Sequence, residues 1–329
     1  MTSERFQAFR IHDDAAGYRS GIEDIALDDL SPGEIVVRTA YSSVNFKDAL
    51  AGTGEGKILR RFPLVGGIDV AGHVVSSRDA RFREGDAVLV TGCGLSETRD
   101  GGYAQYARLE AEWAIPLPDG LSLRESMILG TAGFTAALAL FRMLENRQAP
   151  TLGPLCVTGA TGGVGMLAID ICRRAGFDVH AVSGKADQAH FLRSLGASDV
   201  LPRDALATTR PMESARFGGG LDNVGGPMLA SLLAQTAPYG NVASAGLAAT
   251  GDLPTTVMPF IIRGVSLLGV ASAGTARPIR EELWRRLASD WKPVHLDRIC
   301  TREVGLDGLP GVFATMLGGH SFGRTLVRL

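Results

Sequence analysis

The chain has 329 residues, which is longer than one ordinary domain and fits two. Hydrophobic residues make up 45% of the chain, which predicts a large apolar core and argues against wholesale disorder. Charged residues make up 21% and the formal net charge is -2, so the sequence lacks the basic field of a nucleic-acid-binding protein.

Targeting and membrane signals are weak in this sequence. Segment 1–10 contains charged residues and no long apolar run, so it is not typical of a signal peptide. The most apolar stretch, 152–175, is interrupted by five glycines and by Asp170, so we expect no membrane span and a cytoplasmic protein. The four cysteines form no CxxC pair and predict free thiols rather than a disulfide framework: Cys93, Cys156, Cys172 and Cys300.

The first part of the chain predicts a compact β domain. Short β-type runs alternate with turn residues, and we expect strands at 34–39, 70–75, 86–90 and 101–107. Many short strands with frequent turns are typical of a barrel-like domain.

The pattern changes near residue 126. A segment free of proline and rich in Ala, Leu, Met and Phe predicts a helix at 128–146. Strands and helices then alternate, which predicts a parallel sheet with right-handed crossovers. We expect strands at 155–158, 178–182, 199–201, 220–224, 241–245 and 265–270, and helices at 164–175, 187–195, 228–235 and 279–289. A last strand pattern at 324–329 is expected to rejoin the β domain, so that the α/β region is an insertion.

A glycine-rich turn joins the first of these strands to the first helix, with the sequence Val-Thr-Gly-Ala-Thr-Gly-Gly-Val-Gly at 157–165. This context is typical of a dinucleotide fingerprint. Gly159 would make the tight turn, Gly162 would admit the pyrophosphate, and Gly165 would let the helix pack closely. Backbone N–H groups and the helix dipole would hold the phosphates. A plain glycine turn is the alternative.

The end of the next strand distinguishes NADPH from NADH. An NADH site usually has an acid there, which binds the ribose hydroxyls. This chain has Ser183-Gly184-Lys185 instead, and a hydroxyl with an ammonium group suits the adenosine 2′-phosphate of NADPH. Arg203 is a candidate second cation. The alternative is that Lys185 and Arg203 are ordinary surface residues.

Five stretches resemble the medium-chain dehydrogenase/reductase superfamily, and within it the quinone-oxidoreductase-like branch that includes NADPH-dependent acryloyl-coenzyme A reductases. They lie at 42–50, 67–72, 130–136, 201–204 and 253–261. The resemblance covers nearly the whole chain.

The resemblance implies an α/β fold in which a doubly wound Rossmann sheet, at 126–296, is inserted in a GroES-like β-barrel catalytic domain, at 1–125 and 297–329. It also implies a homodimer, an active site in a cleft and a small-molecule substrate, without a nucleic-acid or membrane partner.

The same resemblance implies the site residues. The cofactor NADPH would be contacted by Phe46, Gly159, Thr161, Gly162, Gly163, Val164, Ser183, Gly184, Lys185, Arg203, Leu247, Ile261 and Ser272. The candidate catalytic residues are Asn45, Phe46 and Asp48. Relatives in this branch commonly have tyrosine where this chain has Phe46, so a hydroxyl near the cofactor or the substrate is missing.

No zinc site is expected. The stretch that matches the catalytic Gly-His-Glu of zinc enzymes is Gly67-Ile68-Asp69, and the aliphatic side chain of Ile68 cannot bind a metal. His73 is interpreted as a core or surface histidine, and Cys93 as a packed thiol.

Without zinc, alcohol oxidation lacks its Lewis acid, whereas an activated C=C bond can accept a hydride with less help from the protein. The resemblance implies reduction of acryloyl-CoA to propanoyl-CoA. Backbone N–H groups or Asn45 are candidates for stabilising the enolate oxygen. Asp48 either orients a neighbour or caps the helix that begins there.

Two other functions remain open. A quinone reductase would use the same cofactor. Arg60 and Arg61 favour a substrate with phosphate groups, and the alternative is that they are a solvated surface pair. A non-catalytic NADPH-binding redox sensor would share the fold.

Overall fold

The computed structural model describes residues 5–329, so the first four residues of the charged N-terminal segment lie outside it. The chain divides into two compact units. The first comprises the described part of Met1–Thr131 together with Ala273–Ala288 and Leu296–Leu329. The second comprises Ala132–Ser272 and Ser289–His295.

Strands dominate the first part of the chain, and strands alternate with helices from residue 155 to residue 269. In chain order, the strands are β1 (Phe6–Asp14), β2 (Gly17–Ile25), β3 (Ile35–Val44), β4 (Leu64–Val65), β5 (Asp69–Ser77), β6 (Ala87–Thr91), β7 (Tyr106–Leu109), β8 (Ile115–Pro116), β9 (Leu155–Val157), β10 (Val179–Val182), β11 (Asp199–Leu201), β12 (Phe217–Asp222), β13 (Thr236–Ser244), β14 (Ser266–Gly269), β15 (Cys300–Val304) and β16 (Arg324–Arg328). The α-helices are α1 (Phe46–Thr53), α2 (Leu123–Glu145), α3 (Gly163–Arg174), α4 (Ala189–Ser194), α5 (Gly226–Ala234), α6 (Met258–Arg263), α7 (Arg277–Leu287), α8 (Leu296–Ile299) and α9 (Leu309–Leu317).

The first unit contains two sheets. The larger has seven strands in the order β15-β16-β3-β5-β6-β8, with β7 paired to β3. The smaller has three strands in the order β2-β1-β4. Strand β16 runs antiparallel to β3, with Val327 opposite Ser42, so the end of the chain rejoins the β region as predicted.

Two clusters of buried apolar side chains support these sheets. One is centred on Phe9, Tyr103 and Phe313, and the rings of Phe9 and Phe313 meet edge to face at 5.9 Å. The other includes Val37 and Val90, from neighbouring parts of the larger sheet. Strands supply Phe9, Val37 and Val90, whereas Phe313 comes from α9.

The strand predicted at 101–107 is wrong in its first half, because β7 begins only at Tyr106. Gly101 and Gly102 instead donate their N–H groups to the carbonyl groups of Val65 and Gly67. A Cβ at Gly101 would lie 2.1 Å from the carbonyl oxygen of Gly67. The glycine pair therefore allows two backbone segments to approach closely. In the sequence, this segment shows the alternating pattern of a strand.

The second unit is built around a parallel sheet of six strands in the order β11-β10-β9-β12-β13-β14. Each neighbouring pair is parallel. In this unit's own numbering the order is 3-2-1-4-5-6, which is that of a doubly wound dinucleotide-binding sheet. The predicted Rossmann sheet is confirmed.

Segment 273–288 departs from the predicted division, which placed it in the α/β region. It contains α7 and belongs to the first unit. The guanidinium group of Arg280 donates to the carbonyl oxygen of Thr91 at 2.8 Å, and that of Arg277 donates to the carbonyl oxygen of Glu112 at 2.7 Å. The helical pattern at 279–289 could reveal the helix but not the unit it packs on. The buried face of α7 includes Leu283, Trp284 and Leu287.

Helix α2 begins at Leu123 and is interrupted at Gly130, where φ is 49° and ψ is -155°. A Cβ at Gly130 would lie 2.6 Å from both Asp69 Oδ2 and Ser43 Oγ. The sequence predicted an unbroken helix from residue 128. The interruption exists because the backbone passes close to buried polar groups.

Within residues 5–329, one helix is long and apolar enough to cross a membrane by length and composition, namely α2. Of its most apolar window, 78% is buried inside the protein, as in a core helix. The sequence predicted this helix at 128–146 but placed the most apolar stretch of the chain at 152–175 instead.

The close approach of β5 to β3 generates a testable prediction. A Cβ at Gly72 would lie 2.0 Å from the carbonyl oxygen of Arg38, a backbone atom that cannot rotate away. We expect Gly72→Ala to lower the free energy of unfolding by about 1–3 kcal/mol or more, as measured by urea denaturation. Gly21→Ala is the control, because no atom lies within 4 Å of a Cβ there. Equal stability of the two variants would contradict this account.

Candidate active site

The glycine turn lies between β9 and α3. Gly159 has a φ of 60°, in the left-handed region that favours glycine. Gly162 is the N-cap of α3 and provides no side-chain cap, so the first N–H groups of the helix are not used by a capping side chain. A Cβ at Gly165 would lie 2.4 Å from the carbonyl oxygen of Gly159. Only glycine therefore allows α3 to begin so close to the turn.

The remaining predicted turn residues lie in the same segment. Thr161 is buried and precedes the N-cap. Gly163 and Val164 are half-buried in the first turn of α3. The structure thus brings all five predicted residues of 159–164 to the N-terminus of one helix, where N–H groups and the helix dipole favour a phosphate.

Two residues that the sequence analysis did not single out hold this turn. Asp222, at the end of β12, accepts a hydrogen bond from the hydroxyl of Thr158 at 2.6 Å. The Nδ2 group of Asn223 donates to the carbonyl oxygen of Thr158 at 2.8 Å. Asp222 is fully buried, and burial raises the pKa of its carboxyl group. The signal for these contacts was the polar Asp-Asn pair at the end of an apolar strand.

Residues predicted to bind the 2′-phosphate lie at the end of β10. The turn lies beside this strand, since Ala160 donates its N–H group to the carbonyl oxygen of Val182 at 3.2 Å. Ser183 is buried and its hydroxyl accepts a hydrogen bond from the N–H group of Lys185 at 3.0 Å. A Cβ at Gly184 would lie 2.8 Å from Nε of Arg203. The guanidinium group of Arg203 therefore lies against Gly184, the residue between Ser183 and Lys185.

The other residues predicted to contact the cofactor lie in separate segments of the chain. Leu247 and Ile261 expose 66% and 73% of their surface, which is far more than core residues do. Ser272 accepts a hydrogen bond from the hydroxyl of Thr135 at 2.9 Å. Phe46 lies in the first unit at the start of α1 and is 45% exposed.

In the first unit, the side chain of Asn45 is fixed by three partners. Its Nδ2 group donates to Asp69 Oδ2 at 2.8 Å and to Asp48 Oδ2 at 3.2 Å. Its Oδ1 atom accepts a hydrogen bond from Arg324 at 3.1 Å. An amide group has two N–H donors, and both are used here. This geometry makes Asn45 a positioning residue and does not favour it as a donor to substrate.

Asp48 caps α1, which was one of its two predicted roles. Its carboxylate accepts hydrogen bonds from the N–H group of Asn45 at 2.8 Å and from that of Ile68 at 2.9 Å. Burial, and then the negative charge of Asp69, raise the pKa of Asp48 to about 7. The hydroxyl group of Tyr103 donates to the carbonyl oxygen of Ser43 at 3.1 Å, and burial, followed by the negative charge of Asp48, raises the pKa of Tyr103.

Asp69 and Arg324 complete this network, and the sequence analysis did not assign them to the site. Asp69 is fully buried and accepts hydrogen bonds from the hydroxyl groups of Ser43 and Thr131, each at 2.6 Å. Arg324 is buried, lies 3.9 Å from Asp69, and donates to Ser43 Oγ at 2.6 Å. The signal in the sequence was a charged residue at the buried start of each strand, β5 and β16.

The residues considered for a metal site do not form one. Among residues 5–329, no group of three or more His, Cys, Asp or Glu side chains is arranged to hold a metal ion. Ile68 is buried and His73 is exposed on β5. All four cysteines are free thiols in the structure.

Family models match two parts of the chain. The model described as "Alcohol dehydrogenase GroES-like domain" matches residues 31–119, and the model described as "Zinc-binding dehydrogenase" matches residues 163–289. Among curated relatives, a Bacillus subtilis (strain 168) protein named "Putative quinone oxidoreductase YhfP" is 43% identical over 99% of this chain and 100% of its own length. The acrylyl-CoA reductase AcuI of Ruegeria pomeroyi is 42% identical over 94% of each chain.

Solved structures resemble the chain as closely. The yhdH oxidoreductase of Salmonella enterica, in complex with NADP, is 42% identical, with a TM-score of 0.95 over 98% of this chain and 99% of that one. The Bacillus subtilis protein yhfP, with NAD bound, is 42% identical, with a TM-score of 0.95 over 99% of this chain and 100% of that one. These relatives differ in cofactor and in named substrate class.

The buried carboxyl group of Asp48 generates a pH prediction. Its pKa of about 7 in the folded chain exceeds the ordinary value of 3.8, so the folded state holds a proton that the unfolded chain releases at lower pH. The resulting stabilisation is present below the ordinary pKa and is lost as the pH rises to about 7. We expect the stability advantage of the wild type over Asp48→Asn to shrink between about pH 4 and about pH 7.5, as measured by urea unfolding. A constant difference across this range would contradict the assignment.

Proposed function

The chain belongs to the medium-chain dehydrogenase/reductase superfamily, and we propose that it is a zinc-independent, NADPH-dependent reductase of an activated C=C bond. The reaction we propose is the reduction of acryloyl-CoA to propanoyl-CoA. One observation carries the cofactor assignment: Ser183, Lys185 and Arg203 lie together at the end of β10, beside the glycine turn. The acrylyl-CoA reductase among the relatives supports the substrate class.

The residues of the second unit fit NADPH. The left-handed Gly159 and the uncapped N-terminus of α3 would hold the pyrophosphate. The Ser183 hydroxyl, the Lys185 ammonium group and the Arg203 guanidinium group would hold the 2′-phosphate, since charge-assisted hydrogen bonds favour this group over a bare ribose hydroxyl. When bound, NADPH supplies a hydride to the β-carbon of the substrate.

The first unit supplies positioning rather than an obvious acid. Hydride addition to an enoyl thioester leaves negative charge on the thioester oxygen, and this charge needs N–H donors. Because both N–H groups of Asn45 are used by Asp48 and Asp69, backbone N–H groups are the better donors. Phe46 has no hydroxyl group, so the proton for the α-carbon comes from water in this mechanism.

Zinc independence in this proposal rests on the residues present. Ile68 stands where zinc-dependent members have a histidine ligand, and its backbone N–H group is bound to Asp48. Relatives differ in their named activity, so NADPH-dependent quinone reduction is the second candidate, and the exposed ring of Phe46 favours it as a surface for a flat substrate. A homodimer in the cytoplasm belongs to the same proposal and can be tested by light scattering and cell fractionation.

The activity itself generates a prediction. We expect purified protein to oxidise NADPH when acryloyl-CoA is added, with propanoyl-CoA as the product, measured by absorbance and mass spectrometry. A panel of quinones and enones serves as the comparison. Turnover of quinones without turnover of any enoyl thioester would replace the first candidate by the second, and binding of NADPH without turnover of any acceptor would indicate a cofactor-binding redox sensor.

Cofactor choice generates a separate prediction. Because Lys185 would contact a phosphate that NADH lacks, Lys185→Ala should raise the Kd for NADPH about tenfold or more and leave the Kd for NADH nearly unchanged, as measured by calorimetry. Arg193→Ala is a matched control, since Arg193 is an exposed cation of the same unit that pairs with Asp199 at 3.4 Å. Equal weakening of both nucleotides by Lys185→Ala would refute the 2′-phosphate assignment.

A further inference from the structure

The first unit contains a cavity of about 710 Å³ that neither the cofactor residues nor the Asn45 network occupies. One wall is the loop that carries Cys93 and Glu97. The opposite wall is the segment Ala273–Pro278, which leads into α7, and Trp113 adds an aromatic surface. The wall of the cavity is mainly apolar, which is typical of ligand sites.

The cavity lies next in sequence to residues of the proposed reaction centre. Ala273 directly follows Ser272, a proposed cofactor contact. On the other wall, Glu97 forms an ion pair with Lys47, which directly follows Phe46. Backbone hydrogen bonds join the two walls, since Cys93 donates its N–H group to the carbonyl oxygen of Ala273 at 3.2 Å.

The charged side chains that line the cavity are largely paired. Its two acidic lining residues are neutralised, Glu97 by Lys47 and Glu112 by Arg81 at 3.0 Å. A third cation, Arg280, is buried in the wall and donates to the carbonyl oxygen of Ala273 at 3.0 Å. The charged lining residues are thus two acids and two arginines, Arg277 and Arg280, and Arg277 pairs with Glu281 at 2.7 Å, so the lining is balanced and the binding of a phosphate group needs further cations at the rim.

Two further cations lie at the rim beside Glu97. Arg60 donates its backbone N–H group to the carbonyl oxygen of Glu97 at 2.8 Å, which holds this loop against the cavity wall. The side chains of Arg60 and Arg61 are exposed, and neither is within ion-pair distance of a carboxylate in residues 5–329. Exposed arginine side chains without an ion pair are suited to bind phosphate groups in bidentate fashion.

We propose that this cavity receives the pantetheine arm of a coenzyme A thioester and that Arg60 and Arg61 bind its phosphate groups. The inference rests on the proposed reductase function and assigns its substrate subsite. A thioester carrier has a long arm with mixed polar and apolar surface and ends in phosphates, which matches an apolar cavity with a cationic rim. A quinone has no phosphate group and would make no use of the rim.

The test compares two substrates that share the reacting group. Acryloyl-CoA carries phosphates, whereas the acryloyl thioester of N-acetylcysteamine does not. For the variant Arg60→Gln/Arg61→Gln we expect the KM for acryloyl-CoA to rise about tenfold or more, with the KM for the short thioester and both kcat values unchanged. Arg285→Gln/Arg286→Gln, an adjacent arginine pair on α7, is the matched control and should change neither KM.

An unchanged KM for acryloyl-CoA, or an equal rise for both substrates, would overturn the subsite while the reductase function stands. If the wild-type protein reduced neither thioester, the proposed function would fail and the subsite with it, so the two failures are distinguishable.

Cys93 provides a second measurement that does not depend on turnover. In a Cys300→Ser background the other two cysteines, Cys156 and Cys172, are buried, so iodoacetamide should report on Cys93. Since burial raises the pKa of the Cys93 thiol, labelling is run at mildly alkaline pH. We expect saturating propanoyl-CoA to slow the labelling severalfold, and an unchanged labelling rate would place the thioester arm outside this cavity.

Discussion

The close approach of α3 to the glycine turn is the constraint on which the second unit depends. The carbonyl oxygen of Gly159 lies where a Cβ at Gly165 would be only 2.4 Å away, so any other residue would push the helix from the turn. This contact fixes the N-terminus of α3 at the carboxyl end of β9, beside the end of β10. The proposed pyrophosphate site and the cations near Ser183 are then neighbours because the parallel strands end at one edge of the sheet.

The first unit is organised by a different kind of constraint, a set of buried charges. Asp48 and Asp69 are both buried with one guanidinium group, that of Arg324, so one carboxylate lacks a full counter-charge. The high pKa of Asp48 is the physical consequence, since a neutral carboxyl group avoids the cost of burying a second anion. The same network fixes the amide group of Asn45. Burying these charges costs stability, and the network gives the Asn45 side chain a fixed orientation.

Local features, the parallel sheet and the return of the tail strand were predictable from the sequence, whereas contacts between particular side chains from distant segments were not. The left-handed turn at Gly159 follows from glycine spacing within nine residues, and the alternation of strands and helices revealed the parallel sheet. The sequence left two interpretations of Arg203, a phosphate-binding cation or an ordinary surface residue. Its contact with Gly184 could not be predicted, because the two residues follow different strands. Asp69 and Arg324 were not assigned to the site, since their pairing depends on a tail strand that returns from the far end of the chain. Periodicity carries no information on such pairings.

The central claim is that the residues after β10 recognise a 2′-phosphate next to a glycine turn that holds a diphosphate. The most direct measurement is calorimetric titration of the wild-type protein with two fragments, 2′-phospho-AMP and AMP, which differ only in that group. The account predicts clear binding of 2′-phospho-AMP and binding of AMP weaker by about tenfold or more, because AMP lacks the phosphate group that Lys185 and Arg203 would contact. Equal affinity for the two fragments, or no binding of either, would contradict it.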